Sequence, residues 1–175
     1  MRQFLLDVTM TPLPTHYERL GLPGRFTVDP AALERAYLVR SREVHPDYHV
    51  VSGDRDETAS AALNEAYANL RDPFRRAEYL LYLHLGDATL VTVPQSPTFL
   101  MRAMELRERL EEANGNPGEL AALDAEVGTL IDAEHAAVTK LFDESTPDAA
   151  AIRSHLDAWK TLASLRRSLR DAVTE

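Results

Sequence analysis

Asp29-Pro30, Ser96-Pro97, Asn116-Pro117 and Thr146-Pro147 each set a side chain able to cap a helix directly before a proline. A capping oxygen accepts a hydrogen bond from a backbone N–H of the first helical turn. Proline at the next position gives up only an N–H that would lack a partner there anyway. Each pair stands before a run whose apolar residues recur every three or four positions. A chain punctuated in this way is committed to helices.

In the C-terminal half the punctuation predicts helices over 97–113, 117–143 and 147–173. Leu120, Leu123, Val127, Leu130, Ile131, Val138 and Leu141 form the expected buried seam of the second. Ile152, Leu156, Trp159, Leu162, Leu165, Leu169 and Val173 form that of the third. Long helices joined by short connections imply an antiparallel bundle. Upstream, a short helix over His16–Leu20 stops at Gly21. A second starts at Pro30 with Leu33, Ala36, Tyr37 and Val44 on one face, and Pro46 ends it. After a loop from Tyr48 to Asp56, a third runs to about Leu70 on Ala62, Leu63, Ala66, Tyr67 and Leu70. Pro73 opens a fourth that Gly86 closes. Its run Tyr79, Leu80, Leu81, Tyr82, Leu83 is apolar nearly all round, as suits an element wedged between two domains.

The reading is an all-α protein of two domains. Residues 1–14 form an extended lead-in, 15–86 an N-terminal domain built on a helical hairpin, 87–95 a linker, and 96–175 a three-helix bundle.

Composition narrows the function. There is no cysteine, which excludes disulfides, thiolate zinc sites and cysteine-ligated clusters. A formal charge of −9 argues against nucleic acid, because phosphate contacts need clustered Lys and Arg. No apolar stretch approaches a membrane span, and Phe4-Leu5-Leu6, interrupted by Asp7, is too short for a signal-peptide core. A cytoplasmic monomer with no cofactor is the expectation.

The tripeptide His45-Pro46-Asp47 falls between the second and third helices. Taken alone it can simply terminate a helix, with Asp47 solvated. A metal site over His45, Asp47 and His49 is disfavoured, since Pro46 lies within it and no second ligand cluster appears. Its flanks give it a different meaning. They are Tyr17-Glu18-Arg19-Leu20-Gly21-Leu22 before it, and Asn64-Glu65-Ala66-Tyr67 and Leu70-Arg71-Asp72-Pro73 after it. With these flanks the segment resembles the J-domain of co-chaperones that activate DnaK-type ATPases. Including Arg76-Ala77-Glu78-Tyr79-Leu80-Leu81 and the region beyond, the chain looks closest to the HscB family of iron–sulfur cluster co-chaperones.

The resemblance implies that His45, Pro46 and Asp47 dock near the interdomain linker of a DnaK/HscA-type ATPase chaperone. Proline sets the direction in which the flanking side chains project, and an ionised carboxylate can accept charge-assisted bonds from a partner arginine. Arg40 and Arg42 of the second helix are expected to assist, with Arg35 nearby. Glu34 and Glu43 dilute the basic face, Arg40 stands where many relatives are apolar, and Tyr48 replaces the basic residue that often follows the motif. Electrostatic steering is therefore expected to be weaker than in a strongly basic J-domain.

A helical wheel over 99–112 puts Phe99, Ala103, Leu106 and Leu110 on the bundle side. Met101, Met104, Glu105, Glu108 and Glu112 fall opposite, with Leu100 at the margin. From the residues alone two readings stay open. The methionines pack on the linker or on helix 73–85, or they form an adaptable docking face beside three carboxylates. The resemblance favours docking. Phe99-Leu100-Met101 followed by Glu105-Leu106-Arg107-Glu108 looks like the HscB segment that holds an IscU-like iron–sulfur scaffold protein. It implies roles for Leu100, Met101, Met104, Glu105, Glu108 and Glu112. The family also uses an aromatic residue of the last helix, for which Trp159 is the nearest candidate beside its core role.

The leading function is thus a non-enzymatic co-chaperone that stimulates a partner's ATPase and delivers a scaffold. The alternative is a general J-domain co-chaperone for unfolded polypeptides, although the Gly/Phe-rich or zinc-bearing client regions of that type are missing. A helical-bundle hydrolase has no support: there is no phosphate loop, nucleophile elbow or ligand pair at helical spacing.

Overall fold

The computed structural model describes residues 13–44, 53–86, 93–113 and 115–174. Among them are seven helices and no strand: α1 (His16–Leu20), α2 (Pro30–Glu43), α3 (Gly53–Arg71), α4 (Pro73–Leu85), α5 (Pro97–Glu112), α6 (Pro117–Phe142) and α7 (Ala149–Thr174). The chain is all-α, as its punctuation predicts. It divides into two compact units, Met1–Gly24 with Val28–Asp72, and Arg25–Thr27 with Pro73–Glu175. Contact thus groups α4 with the C-terminal helices, whereas the sequence reading placed it in a domain spanning 15–86.

In the first unit, α1 is closed at both ends by local hydrogen bonds. Glu18 N–H donates to Thr15 Oγ1 at 3.2 Å and Thr15 N–H donates to Glu18 Oε2 at 2.7 Å, a reciprocal capping box. Gly21 ends the helix at φ 67°, a left-handed conformation that costs glycine nothing. Asp29 caps α2 by accepting from Ala31 N–H at 3.0 Å, with Pro30 at the first helical position. The core is Tyr17 and Leu20 of α1, Leu33 of α2, and Leu63, Ala66 and Leu70 of α3. Tyr37 fastens α2 to α3 twice: its ring stacks on Tyr67 at 4.3 Å, and its hydroxyl donates to Asn64 Oδ1 at 2.8 Å. The expected loop to Asp56 is shorter than read, because α3 already begins at Gly53. The polar stretch taken for a loop has equally the composition of a solvated first turn.

In the second unit, Ser96 and Asn116 cap α5 and α6 as their sequence pairs require. Thr146-Pro147 does not cap α7. Asp148 does, its Oδ1 accepting from Ala150 N–H at 3.0 Å and Ala151 N–H at 3.1 Å. An ionised carboxylate suits the positive end of a helix better than a hydroxyl two residues upstream. The bundle core is Leu106 and Ala113 of α5, Leu120, Leu123 and Val127 of α6, and Leu162, Leu165 and Leu169 of α7. Two polar contacts between α6 and α7 follow their antiparallel order. Arg166 grips Asp124 with two bonds, at 2.8 and 3.0 Å, and His155 Nδ1 meets Glu134 at 2.6 Å. Gly128 leaves room for this grip, since a Cβ there would stand 3.2 Å from Arg166 Nη2.

Three apolar residues, on α7 and α4, are more exposed than their patterns suggest. Val173 is 65% exposed, because Ala172 is the last residue of α7 packed on the core. On α4, Ala77, Leu80 and Leu81 are buried while Tyr82 and Leu83 are 51% and 39% exposed. An apolar run without interruption still buries only the stripe that meets a neighbour.

Away from the main core, Phe26 is buried against α6, stacked on Phe142 at 5.3 Å and 5.4 Å from the His135 ring. Trp159 meets the other side of His135 edge-on at 5.3 Å and Phe74 at 5.7 Å, and Arg76 lies over the Phe26 ring at 5.2 Å. Burial, aided by the Arg76 guanidinium and opposed by Asp132, holds the His135 imidazole below its ordinary range. As the pH falls through the ordinary value of about 6.5, the unfolded chain takes up this proton before the folded one does. Stability tied to His135 is therefore whole above that value and declines as the pH drops toward the folded pKa. His16, also lowered chiefly by burial, has the same sign. Melting temperatures measured between about pH 7.5 and 5.5 should fall more steeply for the wild type than for His135→Phe. Parallel profiles would contradict this.

Candidate functional site

His45, Pro46 and Asp47 lie outside the described residues. The helix that leads to them is described up to its C-cap, Val44, whose N–H donates to Arg40 O at 3.2 Å. Arg40 and Arg42 both stand in the last turn of α2, but two residues turn a helix by about 200°, so they point to different sides. Arg40 Nη1 pairs with Glu43 at 2.8 Å, and its Nη2 reaches to 3.3 Å from where a Cβ of Gly21 would stand. Arg42 is exposed and has no ion-pair partner among the described residues.

The structure brings Arg42 and Arg35 together with Leu38 and Val39, which the sequence reading missed. Arg35, Leu38, Val39 and Arg42 fall on one side of α2, and Leu38 and Val39 are exposed despite being large and apolar. The i, i+3, i+4, i+7 spacing of Arg35, Leu38, Val39 and Arg42 is the sequence signal of this face. Arg35 is only loosely engaged, 3.7 Å from Asp29 with both side chains exposed. This side of α2 offers two cations framing an apolar pair.

The second candidate is the outer face of α5. Ser96 Oγ caps the helix by accepting from Phe99 N–H at 3.1 Å, and Gln95 Nε2 donates to Ser154 O at 2.9 Å, tying the approach to α7. Leu106 is fully buried, with Phe99 and Leu110 packed beside it, which fixes the rotation of α5. That rotation leaves Leu100, Met101 and Met104 at 50%, 71% and 64% exposure. Glu105, Glu108 and Glu112 are exposed with them. The methionines therefore do not pack on α4. Thioethers left in water beside carboxylates suit a surface that re-packs against a partner with apolar and basic groups. Trp159 is not part of this face: it is 8% exposed and enclosed by the His135 and Phe74 rings.

Among the described residues no group of three or more His, Asp or Glu side chains is placed to hold a metal, and no helix is long and apolar enough to cross a membrane.

The family matches make this chain a J-domain protein. The DnaJ domain model matches residues 15–79, and the HSCB C-terminal oligomerisation domain model matches residues 95–170. A co-chaperone protein HscB homolog from Bordetella petrii is 35% identical over 159 residues, covering 88% of this chain and 93% of that one. Another from Burkholderia mallei is 39% identical over 132 residues, 73% of this chain and 75% of its own. Among solved structures, chaperone HscB from Vibrio cholerae superimposes with a TM-score of 0.75 at 29% identity, over 90% of this chain and 96% of that one. Human co-chaperone HscB shares the fold, with a TM-score of 0.78 at 23% identity over 91% and 82% of the two chains. This chain belongs to the HscB co-chaperone family.

Proposed function

We propose that this protein is a non-enzymatic, cytoplasmic co-chaperone that raises the ATPase rate of a DnaK/HscA-type chaperone and presents to it an IscU-like iron–sulfur scaffold. In this reading His45, Pro46 and Asp47 engage the chaperone, with Arg42 and Arg40 contributing charge and Leu38 and Val39 apolar contact. The outer face of α5, made of Leu100, Met101, Met104, Glu105, Glu108 and Glu112, takes the scaffold. With no thiolate of its own, the chain has no cysteine to hold the cluster, so the scaffold keeps it.

The observation that carries this reading is the exposure of Met101 and Met104 beside carboxylates on a helix whose opposite side packs into the bundle through Leu106. A second copy of this chain would oppose glutamates to glutamates, whereas a basic partner would neutralise them. The protein is accordingly expected to act as a monomer.

The test is a steady-state ATPase assay with purified components. The chain alone should turn over no ATP, and its addition should accelerate hydrolysis by the chaperone several-fold. Intrinsic turnover, or an unchanged chaperone rate, would overturn the proposal.

A further inference from the structure

Glu105 is already occupied. Its Oε2 accepts from Arg102 Nη1 at 2.6 Å, one turn earlier on α5. Arg102 Nη2 donates to Glu126 Oε1 on α6, and the other oxygen of Glu126 accepts from Arg109 Nη1 at 2.8 Å. The four groups form a line, Arg109–Glu126–Arg102–Glu105, running from the α5–α6 seam to the exposed face. The Glu126 side chain is 27% exposed and that of Glu105 55%. Charge is balanced along the line. Glu108 and Glu112, by contrast, have no ion-pair partner among the described residues, so the three carboxylates of this face are not equivalent.

We propose that Arg102 is an intramolecular competitor for the basic group that docks on Glu105. The proposal rests on the reading of the α5 face as the scaffold site. A guanidinium presents separate N–H groups to two carboxylates, so Arg102 can release Glu105 while Glu126 still holds it. An incoming Lys or Arg finds Glu108 and Glu112, one helical turn apart, without an ion-pair partner among the described residues, whereas at Glu105 it competes with Arg102 for the carboxylate. The effect is to weaken the complex, which suits a carrier that must give its cargo up. The titration of Glu105 agrees with the geometry: the Arg102 hydrogen bond and charge hold its carboxyl below the usual range.

Calorimetric titration of the full chain with its IscU-type scaffold protein tests this. Arg102→Gln should bind roughly 3- to 10-fold tighter than wild type, the range expected for freeing an exposed ion pair and removing one positive charge. Arg107→Gln, which removes the same charge from α5 without releasing Glu105, should gain less than about twofold. In a Glu105→Gln background the advantage of Arg102→Gln over Arg107→Gln should vanish. Carboxyl NMR should show the Glu105 pKa rising in Arg102→Gln, a signal that a purely structural role for Arg102 would not require to track affinity. Arg102→Met retains the aliphatic stem and serves if the glutamine variant fails to fold. Equal gains from the two arginines, a loss of affinity, or a gain that persists without Glu105 would overturn the proposal. If Met101→Ala with Met104→Ala leaves scaffold affinity unchanged, the site assignment itself fails, and the competition with it.

Discussion

Asp47→Asn is expected to return the stimulated ATPase of the chaperone to its basal rate while scaffold affinity stays as in the wild type. Asparagine has the shape of aspartate but exchanges an acceptor oxygen for an NH2 donor, which would then face the donors of a partner arginine. A hydrogen bond to a charged group contributes about 1.5–3 kcal/mol, so losing it lowers affinity roughly 10- to 150-fold before any donor–donor repulsion is counted. The fold is expected to be retained, because the described core of this unit is Tyr17, Leu20, Leu33, Leu63, Ala66 and Leu70, and exchanging a carboxylate for an amide removes no apolar area. Circular dichroism and melting temperature should match the wild type. Stimulation by Asp47→Asn equal to that of the wild type would remove the proposed role of residues 45–47.

The second large effect is expected from Met101→Ala combined with Met104→Ala. Both side chains stand mostly in water in the free protein, so truncating them leaves no cavity and should leave stability nearly unchanged. In the complex each would be enclosed. Loss of about 1–1.5 kcal/mol of apolar burial per methionine corresponds to roughly 30- to 150-fold weaker scaffold binding for the pair. Basal stimulation of the chaperone, measured without scaffold, should be unaffected. Calorimetry that finds wild-type scaffold affinity would show that the face has another use.

Much of this was legible in the residues because helices announce themselves locally. Asp29, Ser96 and Asn116 each cap the helix that their following proline opens, and the seam from Leu120 to Val127 is buried as its spacing requires. The same locality misplaced the start of α7, where a carboxylate two residues beyond Thr146 competes better for the free N–H groups. The outer face of α5 could be read because a buried stripe implies an exposed one opposite. Burial of Phe26 could not: its partners Phe142 and His135 are more than a hundred residues away, and the segment between α1 and α2 has no period to betray it. Nor could the bond from Arg102 to Glu126, which depends on how α5 is rotated against α6, although the Arg102–Glu105 pair has the local spacing of helix neighbours. The role of His45-Pro46-Asp47 came from resemblance, not from spacing. A tripeptide contains too little pattern to distinguish a helix stop from a docking element.

The account stands on one protein joining two partners, and the ATPase rate of the chaperone with chain and scaffold present together tests that most directly. With the wild-type chain, adding scaffold should raise the rate well above the sum of the separate stimulations. Asp47→Asn should lose the whole effect, and Met101→Ala with Met104→Ala only the extra part. A rate that is merely additive, with neither variant differing from wild type, would contradict it.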